Sequence, residues 1–293
     1  MIYKIIVRLN FIKKLPKNFA KKILLFLITF DELFWKIRML FFILFLGKKS
    51  KIGKALSDLK ENGIAIIPNF YQIEKVKKIK ENCIQQLDYL PIEKLKGDQH
   101  IHNLSVNEHL FVEKLKGQIK LKGLQKVNFF FQKIGTDIKS KIIILAYHCS
   151  LSRPLLIYNL VHDGSFRHPA FSEASGDSMI AGKPHVDLFV HQLRIALALD
   201  DINEENGPTV YYKKSMNLDH IKENHSNLIL EQFGFRGTEG GGHFVNSEKV
   251  KLIQKNKFQV IAKQGDLILM DLKSVHHQTP LKKGQRHILW YYY

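Results

Sequence analysis

The 293 residues have a globular balance, 45% apolar and 25% charged, which excludes intrinsic disorder, collagen-like repeats and a disulfide scaffold. The net charge of +18 is uneven: residues 1–60 carry 14 basic and three acidic side chains (+11), and the rest carry 31 and 24 (+7). The only two cysteines, Cys83 and Cys149, stand in no metal-binding spacing, so reduced thiols in a cytoplasmic compartment are expected.

Residues 1–56 read as a basic, apolar, helical extension. Two apolar runs, Ile23–Phe30 and Met39–Leu46, are separated by a segment containing Asp31, Glu32, Lys36 and Arg38. A bilayer span needs roughly 20 predominantly apolar residues, and joining the runs would put four charges near the bilayer centre. No small-residue cleavage site follows Leu46, as a secretory signal would require. Peripheral contact with the cytoplasmic face of a membrane is one reading, with Phe residues and Trp35 on the apolar side and Lys13, Lys14, Lys48 and Lys49 meeting anionic headgroups. Packing of these helices on the body of the protein is the second, and a true span the third.

Residues 57–293 read as one domain. Leu56–Asn62 forms a helix closed by Gly63, a buried strand covers Ile64–Ile67, and a helix of regular apolar period runs over Ile73–Leu90 to Pro91. Residues 93–140 read as Lys-rich helix or loop. Beyond Lys141, β-type runs are expected over Ile142–Tyr147, Leu155–Val161, Val186–Leu199, Thr209–Tyr212, Phe258–Ala262, Leu267–Asp271 and Gln285–Tyr293. Turns fall at Glu205–Pro208, Gly240–Gly242, Gln264–Asp266 and Lys282–Gly284, and the glycine run with His243 is expected in a loop over a site mouth. Short strands without intervening helices imply a mainly β protein, an antiparallel barrel or jelly roll.

Fourteen histidines make no single one informative. His148, His162, His168, His191 and His243 are assigned no role. His185-Val186-Asp187 is different: on a strand, residues i and i+2 share a face, so imidazole and carboxylate converge. A third ligand must come from a distant strand, and Leu267–Asp271 leads to His276 and His277, which would point to opposite faces. Two histidines and a carboxylate with open positions form the facial triad of non-haem Fe(II) oxygenases. Arg286, ten residues after His276 across a loop of hairpin length, can lie opposite the third ligand within one strand pair; its guanidinium fork would suit a dicarboxylate.

With these features the body resembles the phytanoyl-CoA dioxygenase family of Fe(II)/2-oxoglutarate oxygenases. The similarity runs from Leu59–Phe70 through His185-Val186-Asp187 and Leu199–Pro208 to Gly265–Asp271, His276 and Arg286. It departs at Lys213-Lys214-Ser215-Met216 and at His277-Gln278, and does not include residues 1–56. The resemblance implies a double-stranded β-helix, Fe(II) held by His185, Asp187 and His276, and 2-oxoglutarate anchored by Arg286, with Tyr158 and Gln278 as further hydrogen-bonding candidates. Hydroxylation of an unactivated C–H would follow, consuming O2 and releasing succinate and CO2. Asp187 argues against the halogenating relatives, which lack this carboxylate. The expected partner is a small-molecule or lipid-linked substrate. A nucleic-acid dealkylating oxygenase is a weaker reading, because the charge is concentrated in the first 60 residues and no nucleic acid is expected to bind. A catalytically inactive barrel that binds at a membrane surface is the alternative outside enzymes.

Overall fold

The computed structural model describes residues 14–293 except 97–98, 116, 135, 149–153, 167, 169–181, 189–190, 218–242 and 246. Cys149 and the expected loop at Gly240–Gly242 lie outside the described residues. Helix α1 (Lys17–Leu46) is one continuous element rather than two short apolar runs. The charged segment between them is helix-compatible because three of its four charges find partners: Glu32 pairs with Lys36 at 2.9 Å and Lys273 at 3.2 Å, and Arg38 donates to the Ala146 and Tyr147 carbonyls. Trp35, Met39 and Ile43 enter the same buried cluster as Leu193 and Ile195, so this helix packs on the body along one flank.

Helix α2 (Lys51–Asn62) ends at Gly63 with φ +77°, as its sequence predicts, but starts at Lys51 rather than the expected Leu56, capped by Ser50, whose Oγ accepts from the Gly53 amide. The helix spans positions 56 and 57, where the sequence suggested a division. Next come β1 (Ile64–Ile67), α3 (Ile73–Gln85) and the short α4 (Ile92–Leu95). The Lys-rich stretch then differs from expectation, forming β2 (Ile101–Ser105), β3 (Phe111–Leu115) and β4 (Gln118–Lys122). Its lysines are not loop residues: Lys120 sits opposite Glu113 in register, and both Lys120 and Lys122 pair with that carboxylate while Ile119 and Leu121 are buried. Helices α5 (Phe129–Lys133) and α6 (Ile138–His148) follow. The latter replaces the expected strand at Ile142–Tyr147. It is apolar because it lies between α1 and the sheet, and a fully buried run looks the same from sequence in either conformation.

The remaining elements are β5 (Leu155–His162), β6 (His185–Val186), β7 (Leu193–Ala198), β8 (Thr209–Tyr212), β9 (His243–Phe244), α7 (Ser247–Ile253), β10 (Lys257–Gln259), β11 (Leu267–Asp271), β12 (His276–Gln278) and β13 (Gln285–Tyr292). They close two antiparallel sheets, ordered β1-β11-β7-β13-β5-β4-β3-β2 and β10-β8-β12-β6-β9. The architecture is a double-stranded β-helix core, mainly β, with flanking helices. The expected run Val186–Leu199 is therefore two strands in different sheets. Likewise β12 and β13 do not form a hairpin: the chain crosses between sheets through residues 279–284. Gly207 permits that crossing, because at φ +71° a Cβ there would come within 2.8 Å of the Thr279 carbonyl oxygen.

Strand alternation sorts the large sheet into two faces. Ile157, Ala196, Ile268 and Ile288 point between the sheets towards Tyr211 and Val260, whereas Leu156, Tyr158, Ile195 and Leu289 pack outward into the cluster built with the helices.

Candidate metal centre

His276 stands directly opposite His185 in the β12–β6 pairing, and Asp187 follows β6 immediately. One ligand atom from each of these three residues lies within 4.8 Å of the others. His185 Nε2 is 3.5 Å from Asp187 Oδ1, and His276 Nε2 is 3.6 Å from Asp187 Oδ2. Both rings are oriented from behind: His185 Nδ1 lies 2.8 Å from the Lys183 carbonyl and His276 Nδ1 lies 2.9 Å from the Ser274 carbonyl. Each Nδ1–H donates to its carbonyl, leaving each Nε2 lone pair aimed at the common point. The Asp187 and Leu188 amides both donate to the Leu272 carbonyl, which fastens this turn to the segment leading into His276.

Burial alone would raise the Asp187 carboxyl, but Arg194, at 2.7 Å from Oδ2, and the two histidines outweigh it and hold it well below the usual carboxylate range. Burial lowers the His276 imidazole to about 4 against the pull of Asp187, so the ring is neutral at neutral pH. Two imidazoles and one carboxylate are a donor set for a divalent first-row metal that leaves further positions open. The triad lines a cavity of about 550 Å³ together with Arg194, Tyr211, Gln278 and Trp290. Tyr211 stacks on His276 with ring centroids 5.1 Å apart.

Arg286 shares the inward face of β13 with Ile288 and Trp290. Its register row is Gln118–Val161–Arg286, and Gln118 lines the cavity. The side chain is 2% exposed, Nε and Nη1 have no hydrogen-bond partner among the described residues, and burial lowers its pKa to about 10. A buried cation with unused donors is an anion site by its own chemistry.

Gln278 lies on the same face as His276 and lines the cavity, as the sequence suggested. His277 points the other way, towards Tyr212 at 5.8 Å, which leaves His276 as the inward-facing histidine of the two. Tyr158 is a correction. It lies on the outward face of β5, and its hydroxyl bonds His287 Nδ1 at 2.7 Å within the helix-covered core, so it cannot reach the cavity. Arg194, Asn159 and Tyr211 were missed from sequence. Arg194 left one signal, a lone charge within the apolar run Leu193–Leu199.

No family model matches the sequence, and no curated protein matches it. Solved structures match the fold. The epimerase SnoN, in complex with Fe3+, alpha ketoglutarate and nogalamycin RO, is similar with a TM-score of 0.54 and 11% identity over 82% of each chain. AviO1 from Streptomyces viridochromogenes Tue57 gives 0.52 and 14% identity over 82% of this chain and 94% of its own. EctD from S. alaskensis gives 0.52 and 11% over 80% and 74%. At these identities the likeness is one of fold.

Proposed function

We propose that the protein is an Fe(II)- and 2-oxoglutarate-dependent oxygenase, akin to the phytanoyl-CoA dioxygenases, that hydroxylates an unactivated C–H of a small-molecule or lipid-linked substrate. One observation carries the reading: a buried His185–Asp187–His276 cluster shares a sheet-lined interior with a buried arginine that has unused donors. Iron with 2-oxoglutarate and O2 would supply the oxidising chemistry, with succinate and CO2 released. The chain's own contribution is positional. His185 and His276 present preset nitrogen lone pairs, and Arg194 holds the Asp187 carboxylate ionised. Arg286 would bind the far carboxylate of the co-substrate, with Gln278 a second polar contact. Tyr211, Trp290 and Met270 would wall the substrate side and limit water. That SnoN was solved with alpha ketoglutarate bound and EctD with 2-oxoglutarate bound supports the choice of co-substrate.

The test is Fe(II) titration under anaerobic conditions, followed by measurement of 2-oxoglutarate-dependent O2 uptake and succinate release. Asp187→Ala and His276→Ala should each abolish stoichiometric iron binding and turnover. If succinate formation survived in either variant, the ligand assignment would be wrong.

A further inference from the structure

Helix α1 is buried along one flank only. Leu24, Trp35, Met39 and Ile43 face the protein. On the opposite flank Phe19, Phe26, Leu33 and Leu40 recur every seven residues, and Phe30, Ile37 and Leu44 form a parallel row; every one of the seven is at least 43% exposed. At 100° per residue the two rows cover about 80° of the circumference, and from Phe19 to Leu44 they extend about 38 Å. A helix apolar on all sides belongs in an apolar medium, and here the protein covers one flank only.

The charges within this flank have one sign, Asp31 lying about 100° round the helix from its edge. Lys22 is exposed within it near the N-terminal end, and Lys48 and Lys49 are exposed just past the C-terminal end. Glu32 is turned to the protein side, where it pairs with Lys36 and Lys273. Two copies of the flank packed together would bring lysines together with no acid between them. An anionic lipid surface would neutralise them. A second feature agrees: an apolar cavity of about 290 Å³ adjoins the end of α1, lined by Leu46, Ile52, Ile67 and Phe70 with Lys51 and Lys139. Its mostly apolar lining and two lysines suit an acyl chain and an anionic headgroup.

We propose that the exposed flank of α1 lies in the plane of an anionic phospholipid bilayer, with its phenylalanines beneath the phosphates and Lys22, Lys48 and Lys49 at headgroup level. The helix lies on the surface rather than crossing it: no helix among the described residues is long and apolar enough to cross a membrane. This inference stands apart from the metal chemistry.

Co-sedimentation of the full chain with phosphatidylcholine vesicles, with and without phosphatidylglycerol, tests it. Binding should require phosphatidylglycerol and weaken as salt is raised from low to molar concentration. The combined variant Phe26→Asp, Ile37→Asp and Leu44→Asp should partition at least about a hundredfold less, with unchanged circular dichroism and metal binding. Lys48→Gln with Lys49→Gln, remote from the core, should lower affinity for anionic vesicles about fivefold per lysine, and it carries the test if the triple variant misfolds. Equal partitioning of these variants and the parent would overturn the proposal. So would absence of vesicle binding combined with a concentration-dependent dimer that the triple variant abolishes, an outcome that would assign the flank to a second copy of the chain.

Discussion

A guanidinium held inside a β-barrel without an acid beside it is a standing electrostatic penalty, and among the described residues Arg286 is in that position. Replacing an uncompensated buried charge by an apolar side chain of similar length removes the penalty. Arg286→Met should therefore raise the melting midpoint of the ligand-free protein by about 2 °C or more. The same variant should lose the further midpoint rise that 2-oxoglutarate gives the parent in the presence of Mn(II), because the anion has lost its counter-charge. Differential scanning calorimetry of the two proteins, with and without the dicarboxylate, measures both effects. A lower midpoint for the ligand-free variant would mean that Arg286 is a satisfied structural residue. Strand parity made the convergence of His185 with Asp187 readable in sequence, whereas Arg286 was placed by a hairpin that the structure does not form, and it reaches an inward face from the other sheet. Tyr158 was not readable, since parity within β5 is set by the core on both sides and both of its faces are apolar. Arg194 was hidden for a related reason: its role depends on the turn after β6, which brings Asp187 beneath it from another sheet.

At the scale of elements, α1 braces the segments that lead into the His185–Asp187–His276 cluster. Trp35 stacks on His191 at 3.7 Å, His191 Nδ1 bonds Asp271 Oδ2 at 2.5 Å, and Glu32 reaches Lys273, three residues before His276. Burial by itself would raise the Glu32 carboxyl, but Lys273 and Lys36 outweigh it and hold it at about 2, against 4.5 for an ordinary glutamate. A carboxyl lowered on folding contributes stability that is fully present above about 4.5 and is lost as pH falls through about 2. Glu32→Gln should thus destabilise the protein by about 1 kcal/mol at neutral pH, screening at a half-buried site keeping the effect modest. The deficit relative to the parent should vanish as pH drops from 4.5 towards 2. Thermal scans across that range test this; a constant deficit would show that the pair contributes through packing rather than charge. The sequence reading recovered α2, α3, β1, β5, β8, β11 and β13, whose ends carry glycine, proline or clear apolar periods. It missed β2 to β4, where Glu113, Lys120 and Lys122 on the cavity-lining face break the apolar alternation, and α6, whose mostly apolar run fits helix or strand equally.

For the molecule as a whole, the N-terminal helix is part of the core. Leu24, Trp35, Met39 and Ile43 are each at most 3% exposed. Burying a large apolar side chain contributes roughly 1.5–3 kcal/mol, so these four together rival the ~5–15 kcal/mol total of an ordinary domain. Deletion of residues 1–46 should leave a chain that is rapidly cleaved by trypsin and lacks a cooperative melt, whereas a sharp transition in the truncated protein would show a self-sufficient barrel. The double-stranded β-helix could be anticipated from the spacing of short strands and turns. The three-strand extension of the large sheet could not, nor could the crossing between β12 and β13 that sets Arg286 across the interior from the ligands. β6 adds a consequence for folding dynamics. It is two residues long and joins β12 through the single pair His185 and His276, which are also the proposed donors. An ion at that point would act as a rivet through a lap joint, fixing a seam that backbone bonding alone holds weakly. Loading with Mn(II) at about a hundred times its dissociation constant should slow deuterium uptake at the Asp187 and Leu188 amides about a hundredfold while amides in the middle of β13 stay unchanged.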